Sequence, residues 1–278
     1  MAKENTAKFN ELQQTVTDQI IAQLESGDLG LWQKEWLSCG MPENPLSGTK
    51  YKGANVIILL MARARNGYST NKWTTSAALR KLGHHVLAGN KATLITKPTS
   101  FVPIDDDTKV PVSFGCQPVF NLDQTSMEIE PENYEMLGDD NAEADKIIDA
   151  MTKDLASVVY NGDQAYYRRA TDLVNLPENF KTTSGKYATA FHEFGHATMH
   201  ESRLDREAKG SFGTPEYAYE ELVAEMTSAF LCADTNVEGE LQHASYIKSW
   251  IKLLKDDNKA LFSAASKATA AYEYIKAA

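Results

Sequence analysis

The pentapeptide His192-Glu193-Phe194-Gly195-His196 constrains the fold of this chain more than any other stretch. On a helix, imidazoles at i and i+4 leave the same face about one turn apart and can reach one metal ion. Glu193 is rotated off that stripe and would sit beside the ion as a general base. The pattern arises by chance in about one chain per hundred of this length, so the surrounding sequence has to decide.

A catalytic zinc site usually has three protein ligands and one open position, so a third ligand is required. His200 continues the four-residue spacing but lies about 12 Å along the helix axis from His192, too far for one ion to bond both. The metzincin extension needs glycine at 199 and histidine at 202; this chain has Met199 and Ser202, which excludes that class. The remaining candidates follow Thr214-Pro215, a capping hydroxyl with proline at the first helical position. On the helix it opens, Glu221 and Glu225 are four apart and share a face.

That spacing suits the gluzincin arrangement of thermolysin-like enzymes, in which one carboxylate ligates zinc and another, one turn later, orients a ligating histidine. Glu221 is the expected ligand and Glu225 the expected support, while Glu220 stays open as an alternative ligand. The competing reading is an amphipathic helix with a solvated acidic stripe. Zinc held by His192, His196 and Glu221 would polarise a peptide carbonyl, and Glu193 would accept the proton of the attacking water. Tyr187, Tyr217, Tyr219, His200 and Arg203 are all open as oxyanion stabilisers. The donor set does not separate zinc from manganese.

The net charge of −10 would ordinarily count against nucleic-acid binding, but the average hides an asymmetry. Between Glu43 and Asp105 there is no acidic residue, while Lys50, Lys52, Arg63, Arg65, Lys72, Arg80, Lys81, Lys91 and Lys97 are basic. Residues 105–150 reverse the sign. Tyr51, Tyr68, Trp73 and Phe101 lie within the basic window, and Trp32 and Trp36 just before it. Cations for phosphates and aromatic faces for bases are what single-stranded DNA requires. The candidate nucleic-acid contacts are therefore Lys50, Tyr51, Lys52, Arg63, Arg65, Tyr68, Lys72, Trp73, Arg80, Lys81 and Lys91. A solvated basic face, with Trp73 or Tyr68 in the core, is the plainer alternative.

At 278 residues the chain has room for two domains. No apolar run approaches the roughly 20 residues of a membrane span, and no leader peptide is visible. Cys39, Cys116 and Cys232 lack CxxC spacing, so neither a disulfide framework nor a cysteine metal site is expected, and a reducing cytoplasm is the expected compartment.

Apolar periodicity predicts helices over Lys8 to Glu25, Asn55 to Arg65 and Thr74 to Leu82, with Ser69 as a capping candidate. Short strands are expected at His85-Val86-Leu87, Thr93 to Thr96 and Pro111 to Phe120. The acidic stretch Pro131 to Asn141 marks the expected boundary between domains at residues 1–130 and 142–278. Beyond it the pattern is mainly helical: Glu143 to Val159, Gly185 to Met199, Pro215 to Ala233, Leu241 to Lys255 and Lys259 to Lys276, with an extended piece at Ala165-Tyr166-Tyr167. The expected class is α+β.

Motifs in both halves resemble one family, the ArdC-type antirestriction proteins of conjugative plasmids and phages. The N-terminal matches are Val16 to Ile21, Leu24 to Asp28, Asn44-Pro45, Gly48, Tyr51-Lys52-Gly53-Ala54-Asn55, Gly67-Tyr68, Trp73-Thr74 and Val119 to Gln124. The C-terminal matches are Tyr187 through His196, His200, Ser202-Arg203-Leu204, Phe212-Gly213, Tyr217-Ala218 and Glu220 to Glu225. The chain departs from the pattern at Glu35, Asn90, Ala92, Ala197 and Met199, none of them a candidate ligand. The resemblance implies a small α+β domain that binds single-stranded DNA, followed by a mainly helical zincin-like metallopeptidase domain. The protein would then be a mobile-element antirestriction factor that coats incoming single-stranded DNA. Two alternatives remain open: a metalloprotease whose basic domain recognises a protein substrate, and a non-catalytic DNA-binding protein with structural zinc.

Overall fold

In a computed structural model, the apolar spacing near the start of the chain produces one long helix, α1 (Ala2–Ser26). Val16, Ile20 and Leu24 are buried along it, and Gly27 ends it with a left-handed φ of 70°. The structure describes residues 2–27, 40–103, 109–128, 141–155, 157–206, 214–237 and 246–278. Trp32, Trp36, Cys39, Phe212, Gly213 and, but for Asn141, the expected domain boundary lie outside the described residues. The chain divides into two units, Met1–Ala22 with Pro42–Glu132 and Gln23–Met41 with Asn133–Ala278.

In the first unit, β1 (Glu43–Asn44) pairs with β2 (Thr49–Lys50), and α2 (Ala54–Asn66) follows. Gly67 closes α2 in the left-handed region at φ 65°, and Arg63 and Arg65 in its last turn oppose the negative end of the helix dipole. Next come β3 (Trp73–Thr74) and α3 (Ser76–Lys81). The helix expected from Thr74 therefore starts later, because Trp73 and Thr74 pair instead with Asn121 and Phe120. Thr75, not Ser69, caps it by accepting from the Ala78 N–H; both Ser69 groups bond Asp123.

The strands β4 (Thr93–Pro103) and β5 (Lys109–Asn121) form an antiparallel ribbon longer than expected, with the order β3-β5-β4. The expected strand at His85 to Leu87 is reduced to a single bridge between Val86 and Thr125. Asn55 ties α2 to the ribbon, accepting from the Thr96 N–H at 2.8 Å and donating to its carbonyl at 2.9 Å.

In the C-terminal part of the second unit, the first described helix is α4 (Ala142–Asp154), capped by Asn141. The helix expected to reach Val159 stops here, because Ser157 to Tyr160 form β6 (Ser157–Tyr160) and pair in parallel with β8 (Leu173–Leu176). The expected extended piece is β7 (Tyr166–Arg168), antiparallel to β8 and at the edge of the order β6-β8-β7. Thr182 caps α5 (Thr183–Ala197), and Thr214 caps α6 (Pro215–Thr235). α7 (Ile247–Asp256) and α8 (Ala260–Ala277) follow; the expected helix start at Leu241 lies outside the described residues. Ala264, Ala265, Ala268 and Ala271 are fully buried on α8, small enough to let it lie closely against α6. No helix among the described residues is long and apolar enough to cross a membrane.

Candidate metal centre

The centre is made where α5 and α6 pack together. Gly195 sets how closely: a Cβ there would lie 3.1 Å from the Ala224 Cα and 3.3 Å from its carbonyl oxygen. Ser228 adds a polar tie, donating across the interface to the Ala188 carbonyl at 2.9 Å. This contact brings the carboxylates of α6 against the imidazoles of α5.

His192 and His196 turn their Nε2 atoms toward each other at 3.1 Å. Each Nε2 is 3.5 Å from a Glu221 carboxylate oxygen. Two bonds of about 2.0–2.1 Å at a tetrahedral angle span roughly 3.3–3.4 Å between donors; the 3.1 Å between the rings and the 3.5 Å from each ring to its own Glu221 oxygen are close to that span. His192, His196 and Glu221 are also the only group of this kind that could hold a metal ion among the described residues. Glu193 is buried and lines the same pocket.

The outer sides of the rings have separate partners. His192 Nδ1 donates to Glu225 at 3.1 Å. His196 Nδ1 lies 3.7 Å from Glu220, whose carboxylate is bound by the buried guanidinium of Arg206 at 2.6 Å. The same Arg206 donates to the Gly195 carbonyl at 2.9 Å and to the Thr198 hydroxyl at 2.5 Å. Glu220 thus faces the back of one ring, whereas Glu221 faces both Nε2 atoms. Arg206 carries no motif that could have announced it in the sequence.

Burial alone would push both imidazole pKa values down. Hydrogen bonds to Glu221 and Glu225 outweigh it at His192, raising it to about 9, and those to Glu220 and Glu221 raise His196 to about 10. Burial opposes the charge of Glu221 as well, yet the two imidazoles hold it far below the usual carboxylate range. Two protonated rings meeting at 3.1 Å repel; neutral rings around a cation exchange that repulsion for two donor bonds.

The centre opens into a cavity of about 290 Å³, lined also by Tyr166, Tyr167, Arg169 and Tyr217. Tyr217, whose hydroxyl accepts from Tyr246 at 3.3 Å, is the only one of the five oxyanion candidates on that lining. Tyr187 donates to Asp145, Tyr219 is bonded to Ser263, His200 to Ser202, and Arg203 is paired with Asp172. His200 has also left the helix, which ends at Ala197.

The candidate nucleic-acid contacts are spread over the first unit. Lys50, Lys52, Arg80 and Lys81 are exposed, and Arg63 and Lys72 are half-buried. Trp73 is corrected: at 0% exposure it offers no face to a base. Tyr51 is a half-buried strut, donating to the Trp73 carbonyl at 3.1 Å, with burial pushing its hydroxyl up to about 12. Arg65, Tyr68 and Lys91 do meet, along one groove.

Residues 10–138 match the family described as the N-terminal domain of anti-restriction factor ArdC, and residues 142–267 match the family described as zincin-like metallopeptidase. The chain is 32% identical over 290 residues to the uncharacterized protein y4eC of Sinorhizobium fredii (strain NBRC 101917 / NGR234), covering 96% of this chain and 92% of that one. It is 31% identical over 316 residues to the DNA primase TraC of Escherichia coli, covering 99% of this chain but 21% of the primase. Its structure is similar to the Mn(II)-bound crystal structure of the antirestriction protein ArdC from plasmid R388, with a TM-score of 0.77, 34% identity, and 96% and 97% of the two chains covered.

Proposed function

Because the chain belongs to the ArdC antirestriction family, with an ArdC-type N-terminal domain and a zincin-like C-terminal domain, we propose that it is a mobile-element antirestriction factor that binds single-stranded DNA and acts as a metallopeptidase. The observation that carries the peptidase half is the convergence of His192, His196 and Glu221 at the floor of an open cavity. These three residues would hold zinc or manganese, and a bound ion supplies Lewis-acid polarisation of a carbonyl. Glu193 takes the proton from the attacking water and returns it to the leaving amine. Tyr217 donates its hydroxyl proton in a hydrogen bond to the developing oxyanion. The edge strand β7 gives an extended peptide a ladder to lie against. The opening favours a catalytic role for the ion over a purely structural one, whose coordination would be closed by protein.

Metal analysis of the purified protein and its Glu221→Ala variant is the direct test. The wild type should hold about one ion per chain, and the variant much less. Glu193→Ala should keep the ion and lose peptide cleavage; equal cleavage by both proteins would overturn the peptidase reading. For the DNA half, labelled single-stranded oligonucleotides should bind with an affinity that falls steeply with salt, and no such binding at low ionic strength would end it.

A further inference from the structure

The groove in which Arg65, Tyr68 and Lys91 meet has a volume of about 490 Å³ and lies wholly within the first unit. Its walls are α1, α2 and the segment Gly89 to Leu94, with Leu12, Val16, Ile58 and Met61 supplying apolar surface. None of the residues lining it is acidic, in a chain with net charge −10. Two cations enter from separate segments: Arg65, held by Gln19 at 2.8 Å, and Lys91 on the loop.

The groove is braced. Gln124 donates to the Lys91 carbonyl at 2.9 Å and accepts from the Asn121 N–H at 2.9 Å, which fixes the loop against the end of β5. Tyr68, only partly buried, meets the fully buried Trp73 edge to face at 5.7 Å between ring centres. The tyrosine ring is therefore anchored from behind.

An apolar cleft with a fixed aromatic ring and two cations at its rim matches one chemistry: a planar heterocycle carrying an anion one sugar away. We propose that this groove seats one or two unpaired nucleotides, with the base against Tyr68 and the apolar wall and the phosphates on Arg65 and Lys91. This rests on the single-strand reading above and gives it a location. A paired, stacked base cannot enter, so the groove selects single strand over duplex.

The test uses the full chain and fluorescence anisotropy with three probes: a labelled single strand, the same strand with abasic sites, and the duplex. Wild type should bind the normal strand about 5- to 150-fold more tightly than the abasic one, the worth of a stacked base. Ala62→Trp fills the groove from α2 without changing charge and should erase that preference. Ala92→Trp does so from the opposite wall if the first variant fails to fold. Arg65→Ala with Lys91→Ala should reduce the salt slope by about 1.4, two phosphate contacts on a single strand. Lys248→Ala with Lys252→Ala, exposed cations of the second unit, should leave the preference for bases intact.

If wild type binds the strand in a salt-sensitive way but both filled variants keep the preference for bases, the groove assignment is overturned while single-strand binding stands. The assignment falls equally if wild type shows no preference for bases, since a charged protein ligand or bare phosphate would then explain the cations. If wild type binds no single strand at all, the broader reading fails as well.

Discussion

The two imidazoles of the candidate centre are each backed by a carboxylate, and the two backings differ. Glu225 accepts directly from His192, so Glu225→Ala should leave that ring free to turn and weaken metal binding about 10- to 100-fold, read by competition with a chromogenic chelator. Glu220 depends on Arg206. Arg206→Met would leave that carboxylate buried without its cation and should cost about 3–5 kcal/mol in urea unfolding. The imidazoles also make the metal-free protein sensitive to pH. Their folded pKa values, about 9 and about 10, lie above the ordinary 6.5. The stabilisation they bring is thus fully present below pH 6.5 and is lost as pH rises through 9 to 10. The melting temperature of metal-free protein should fall over that window, and metal loading at pH 7 should release protons, measurable by calorimetry in buffers of different ionisation enthalpy.

Among the helices and strands, the contact between α5 and α6 decides whether a centre exists at all. Gly195→Ala would press a methyl into the Ala224 backbone and should cost about 1–3 kcal/mol while lowering metal affinity by moving Glu221 away from the rings. The helices themselves were legible. Thr214-Pro215 announced α6, and the i, i+4 pairs selected the faces of both helices. The sheet beside them was not. Val158-Val159 reads as the tail of a helix until Leu173 to Leu176 arrive to pair with it, and a four-residue apolar run carries no period of its own. Trp73-Thr74 was drawn into β3 in the same way.

Across the chain as a whole, charge separates into a basic window and an acidic stretch, and the basic side chains gather only in part. The two proposed functions draw on different units, so each should respond to its own perturbation. Chelation should abolish peptide cleavage and leave single-strand affinity unchanged, whereas added salt should weaken DNA binding and leave metal content unchanged. Anisotropy and metal analysis on the same samples check both.

Local spacing along the chain encodes which residues carry donor atoms, which helices present them on one face, where those helices begin, and which window is basic. Whatever depends on residues far apart in the chain was left to the packing. It set Glu221 before the two rings and Glu220 behind one, gave Arg206 a role, took Trp73 into the core, and joined Arg65 to Lys91 across a groove. The reason is that periodicity fixes directions within one element, whereas the distance between elements is set by the volumes packed between them, here by the missing side chain of Gly195.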